Sequence, residues 1–100
     1  MGKLILDINV NGEVKDFEIE YQMMDNFIFN QNFAIYSRDL NLKTLAKVLL
    51  NDMIVSPKEI KNVKFWKDDF AALDELCSFL ISEQGDFMQG QRKRKGIRKA

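Results

Sequence analysis

The stretch Leu4-Ile5-Leu6-Asp7-Ile8-Asn9-Val10-Asn11-Gly12-Glu13-Val14-Lys15-Asp16-Phe17-Glu18-Ile19-Glu20-Tyr21 decides the fold. In its first half Leu4, Leu6, Ile8 and Val10 alternate with residues that include Asp7 and Asn9, the two-residue period of a strand with one buried face. Asn11-Gly12 supplies two residues that tolerate positive φ, so the chain reverses in a type I′ turn and a second strand runs back to Tyr21. That turn fixes the register. Val10 falls opposite Glu13, Ile8 opposite Lys15, Leu6 opposite Phe17 and Leu4 opposite Ile19, while Glu18 and Glu20 take the outer face. The hairpin is acidic outside and apolar within.

An isolated hairpin is barely stable in water, so the rest of the chain must cover its apolar face. Leu42, Leu45, Ala46, Leu49, Leu50 and Met53 share one helical stripe, with Asn41 as its cap and Leu40 placed to pack on Leu45. This helix should end between Asn51 and Val55, because Pro57 biases Ser56 away from helical geometry. Ser56-Pro57-Lys58-Glu59 reads as a capping box that opens a short helix ending at Lys61 or Asn62. A last helix opens at Asp68 or Asp69, carries Phe70, Leu73, Leu76, Cys77, Leu80 and Ile81 on one stripe, and should stop at Gly85. Residues 22–36 fit a strand or a helix equally well. The expected class is α+β: an N-terminal β-hairpin (3–21) packed on a small bundle of about three helices (38–85), one domain over residues 1–85, then a disordered basic tail over 86–100.

The chain has 100 residues, 46% of them hydrophobic and 30% charged, which suits one small domain. It contains no apolar run long enough to span a bilayer and its start lacks the marks of a signal peptide, so a cytoplasmic location is expected. The single cysteine has no internal partner, and with no histidine the usual zinc sites, triads and imidazole bases are absent. The pairs Asp68-Asp69 and Asp74-Glu75 suggest acid/base work, but neighbours along a helix do not face each other and acidic residues suit a helix start. Cys77 lies on an apolar stripe without a basic neighbour, which points to a buried inert thiol. Phe65-Trp66 reads as core closure in preference to a stacking platform. No catalytic residue, cofactor or metal is expected, and the chain reads as a non-enzyme.

Equal numbers of acidic and basic residues, 15 each, conceal four blocks. Residues 1–37 sum to −4, 38–67 to +4, 68–90 to −6, and the last ten to +6, from Arg92, Lys93, Arg94, Lys95, Arg98 and Lys99. Copies of the chain can therefore meet head to tail by sign, with apolar surface supplying the affinity. Met23, Met24, Phe27, Phe29 and Phe33, together with Phe79 off the main stripe of the last helix, are the candidate partner-contact residues. The terminal basic cluster is also an electrostatic footprint for nucleic acid.

The order of features resembles the small tail assembly chaperones of long-tailed bacteriophages and prophages. The residues that carry the resemblance are the hairpin around Val10-Asn11-Gly12-Glu13, the aromatic segment after it, the leucine-rich helix ending in Met53-Ile54-Val55-Ser56-Pro57, and Asp68-Asp69-Phe70-Ala71-Ala72-Leu73 opening a helix that reaches Glu83-Gln84-Gly85. The resemblance implies a chaperone encoded just before the tape measure protein, a long helical client that it coats while the tail tube polymerises. It also implies, in some members, a longer frameshifted form, while self-association is expected from the charge blocks. The leading expectation is therefore a non-enzymatic module that shields a tape measure protein. The alternative is a small nucleic-acid-associated protein whose Arg92 to Lys99 arm binds phosphate.

Overall fold

The computed structural model describes residues 2–39 and 42–95. Strands β1 (Gly2–Val10) and β2 (Glu13–Tyr21) form the hairpin. Asn11 and Gly12 both have positive φ, 55° and 84°, as a type I′ turn requires. Every pairing expected from that turn is present, from Val10 with Glu13 to Leu4 with Ile19. Ile8 and Ile19 are completely buried, whereas Lys3, Ile5, Asp7 and Glu18 are exposed.

Four elements follow: helix α1 (Asn26–Asp39), helix α2 (Leu42–Met53), the short strand β3 (Ile54–Ser56) and, after two 3-10 turns, helix α3 (Phe70–Lys95). The class is α+β, a three-stranded antiparallel sheet in the order β1-β2-β3 with three helices. The core joins Ile8 and Ile19 of the hairpin to Leu45, Ala46, Leu49, Leu50 and Met53 of α2, and to Leu73, Leu76, Cys77 and Leu80 of α3. No described helix is long and apolar enough to cross a membrane.

Several expectations need correction. Residues 22–36 resolve into an irregular link after β2 over 22–25 and the first turns of α1, so the helical part begins at Asn26 instead of residue 38. The deciding group is Asp25, whose Oδ1 accepts from the backbone N–H of Phe27 (2.9 Å) and Ile28 (3.1 Å) and caps the helix. The Ser56 capping box does not form, because Ser56 belongs to β3 and pairs with Glu20. Pro57 is itself the cap of a 3-10 turn over Lys58–Lys61, with no side-chain capping bond.

Gly85 does not end α3. The helix continues to Lys95, so residues 86–95, including Arg92, Lys93, Arg94 and Lys95, extend α3 where a disordered tail was expected. Glycine costs only about 1 kcal/mol inside a helix, and Gln84 beside it is anchored in the core. Arg98 and Lys99, like Leu40 and the Asn41 cap, lie outside the described residues. Phe70, expected on the buried stripe, instead faces outward at 63% exposure.

Candidate interaction surfaces

The acidic pair Asp68-Asp69 at the start of α3 has structural partners. Asp69 Oδ1 accepts from the backbone N–H of Ala72 (3.1 Å), the third residue of the helix, and thereby caps α3. Its other oxygen accepts from the backbone N–H of Asn9 (2.9 Å), and Asp68 Oδ2 accepts from that of Asn11 (2.9 Å). These carboxylates tie the turn end of the hairpin to the last helix. Asp74 and Glu75 point outward from α3. Among the described residues no group of three or more His, Cys, Asp or Glu side chains is placed to hold a metal ion.

Cys77 is buried, and burial, reinforced by Asp74, pushes its thiol up to about 12, which keeps it protonated and inert. Trp66 is also completely buried and donates its indole N–H to the Ile60 carbonyl at 2.9 Å. Phe65 packs edge-on between Phe17 and Trp66, with centroid distances of 5.5 Å to each. The pair closes the core.

The six proposed contact residues divide. Met24 and Phe29 are buried and drop out as surface contacts. The backbone of Met24 is held by Gln84, and Phe29 stacks on Phe33 within the layer between α1 and the core. Met23 and Phe33 are half-buried against the core, and Phe79 is exposed on one side while it packs edge-on against Tyr21 at 5.4 Å. Phe27 is the most exposed aromatic at 73%. Ile28 and Ile35 are exposed beside it, and their positions at i+1 and i+8 place all three on the outer side of α1. This helix is apolar on two faces: Phe29, Phe33 and Tyr36 point to the core, and Phe27, Ile28 and Ile35 point away from it. The isoleucines were legible in the sequence only once the segment was known to be helical.

A basic cleft of about 580 Å³ lies elsewhere, lined by Lys47, Lys61, Lys64 and Lys67 with the exposed ring of Phe70. The sequence carries only a partial signal for it, since Lys61, Lys64 and Lys67 recur every third residue but span two 3-10 turns joined at the extended Asn62. In a 3-10 turn residues three apart lie on the same side. Gln84 is a further site residue that the sequence reading passed over. It is completely buried, its Oε1 accepts from Met24 N–H (2.9 Å), and its Nε2 donates to Met24 O (3.0 Å) and Asn26 Oδ1 (3.1 Å). The stripe Leu73, Leu76, Cys77, Leu80 continues at Gln84, which is the signal that marks it as inward-facing.

In comparisons with known proteins, no family model, no curated protein and no solved structure matches the chain.

Proposed function

We propose that the protein is a non-enzymatic binding module that acts as a tail assembly chaperone, shielding a long helical tape measure protein through the outer face of α1. The observation that carries the reading is the stripe of Phe27, Ile28 and Ile35 on a helix whose opposite face is already committed to the core. Scattered exposed apolar residues need no explanation, but three on one face of one helix form a surface that an amphipathic client can cover. The acidic outer side of the hairpin keeps such a complex soluble. The order of elements that resembles the chaperone family supports the choice of client.

The test is coexpression with the long helical protein encoded downstream. Wild type is expected to hold that protein in the soluble fraction and copurify with it. Phe27→Ser with Ile35→Ser should abolish copurification without loss of helical content, while deletion of residues 91–100 leaves it intact. Copurification that survives the double substitution but is lost with the deletion refutes the assignment.

A second reading is favoured by the four-lysine cleft, whose cations and exposed Phe70 ring suit a phosphate-bearing strand. Under that reading the cleft, together with the Arg92 to Lys99 cluster, binds single-stranded nucleic acid. Binding would weaken steeply with salt, and Lys61→Gln with Lys64→Gln would reduce the salt slope.

A further inference from the structure

The two edges of the sheet are unequal. At one edge β3 is three residues long, is followed by Pro57, and joins β2 through an irregular register at Glu20 and Tyr21. All three features discourage further strand pairing. At the other edge β1 runs for nine residues with unbroken one-to-one pairing, without proline and without a bulge. Of the usual edge protections it carries only the charges of Lys3 and Asp7 and a cover over its turn end.

The hydrogen-bonding sense of β1 follows from the turn. A two-residue type I′ hairpin makes Val10 and Glu13 a hydrogen-bonded pair, so Val10, Ile8, Leu6 and Leu4 bond to β2, and the residues between them direct N–H and C=O outward. Asn9 confirms the parity, because its N–H leaves the sheet to reach Asp69. Asp68 and Asp69 thus occupy the edge at Asn9 and Asn11, where the next strand would lie. From Lys3 through Ile5 to Asp7 no other described element pairs with the edge.

We propose that a second copy of this chain adds its β1 antiparallel to this open edge, centred on Ile5, to give a continuous six-stranded sheet. The inference gives an interface to the self-association expected from the sequence, and holds whether or not the client is a tape measure protein. The register is selected by the side chains. With Ile5 opposite Ile5 of the second copy, Lys3 falls opposite Asp7 of that copy and Asp7 opposite its Lys3, so the two-fold axis creates two opposite-charge pairs around an apolar centre. Sliding by two residues in either direction sets Ile5 against a charge. Ile5 is 71% exposed in the single chain, unusual for an isoleucine at the centre of a strand.

Both faces of the added strand find partners. On the outer face Asp7 lies opposite Asp16 within its own hairpin, an unfavourable juxtaposition of carboxylates that raises the pKa of Asp7 through their shared hydrogen bond and their repulsion. Lys3 of the second copy would arrive beside that pair. Among the described residues Lys3 is held at home by long contacts to exposed Glu18 (3.6 Å) and half-buried Glu20 (3.7 Å), which are weak. On the inner face a mainly apolar groove of about 190 Å³ opens between β1 and α3, lined by Leu4, Ile5, Leu6, Leu76 and Phe79 together with the carboxylate-bearing Glu75. Leu4 and Leu6 of the second copy, pairing with Leu6 and Leu4, would fill it.

Sedimentation velocity over a concentration series, with circular dichroism to verify folding, tests the interface through charge reversal. Asp7→Lys improves the hairpin internally, since the introduced ammonium would face Asp16, yet it sets that ammonium against Lys3 across the axis. Lys3→Glu sets a carboxylate against Asp7. Each variant alone is expected to sediment as a monomer at concentrations where wild type is a dimer. An equimolar mixture should recover the dimer, because both cross-axis pairs are then of opposite sign. A wild type that remains monomeric throughout, an Asp7→Lys variant that dimerises like wild type, or a mixture of folded variants that stays monomeric overturns the proposal. Loss of client binding with the dimer intact overturns only the chaperone reading.

Discussion

Replacing Gln84 with methionine preserves chain length and apolar bulk but removes three hydrogen bonds, at 2.9, 3.0 and 3.1 Å. The Met24 N–H and C=O, which bond to Gln84 in the buried interior, lose that partner. A buried polar group left unpaired costs about 1–3 kcal/mol, so two cost roughly 2–6, offset by about 1–2 kcal/mol for burying the more apolar side chain. Taking the middle of each range, the net expectation is a loss of about 2.5 kcal/mol, read as a lower urea midpoint at unchanged slope and a melting temperature lower by roughly 10–20 °C. Gln84→Glu separates the bonding from the shape. At pH 7 its carboxylate can still accept from Met24 N–H but cannot donate to Met24 O, and it is a buried charge. At pH 4 the protonated acid regains a donor. A buried glutamate has a raised folded pKa, so its contribution is favourable below the unfolded carboxylate pKa and lost as the pH rises, and the variant should recover part of its deficit on acidification. A Gln84→Met variant within about 0.5 kcal/mol of wild type would refute the view that this side chain clamps the segment between sheet and α1 to α3.

Three further outcomes follow from the same geometry. Asp69→Ala removes both the α3 cap and the partner of Asn9 N–H, and should cost about 2–3 kcal/mol in urea unfolding, with Asp69→Asn recovering only part because one of its two positions is then a donor. Gly85→Ala should stabilise by about 0.5–1 kcal/mol, since a Cβ there meets no neighbour within 4 Å and the helix runs straight through; destabilisation would show instead that Gly85 ends the helix. The raised pKa of Asp7, caused by Asp16, favours the folded state below the unfolded carboxylate pKa, and that advantage disappears as the pH rises through the folded value. Thermal melts of dilute Asp7→Asn and wild type should therefore show the variant gaining on wild type from acid pH to pH 7; a difference independent of pH contradicts the pairing.

The hairpin was legible residue by residue because Asn11-Gly12 admits one turn and that turn admits one register. Helix α2 was legible from its apolar stripe, and the start of α3 from its two aspartates. Segment 22–36 was not, because α1 presents apolar residues on both sides and so lacks a single-faced period; only the Asp25 cap, two residues before Phe27, marked its start. The glycine at position 85 misled because its helix-ending habit is a preference of about 1 kcal/mol, outweighed by the burial of Leu80 and Gln84 just before it. Phe29 is turned inward by the helical geometry of α1, and Met24 is drawn inward in the link before it by Gln84, neither of which the sequence displays as a period. The lysine cleft was hidden because it gathers Lys61, Lys64 and Lys67 from two successive 3-10 turns and Lys47 from α2, a juxtaposition that no single period displays. The two acidic positions read first as helix-start residues proved to carry a second duty, closing one half of the β1 edge and leaving the other half open.

Amide hydrogen exchange followed by NMR at two protein concentrations tests that half-closed edge residue by residue. In dilute protein the Asn9 amide, bonded to Asp69, should be protected while those of Lys3, Ile5 and Asp7 exchange rapidly. At high concentration the amides of Lys3, Ile5 and Asp7 should become protected together, as a second β1 occupies the edge. Fast exchange of these three amides at every concentration, or protection of all of them in the dilute monomer, would contradict it.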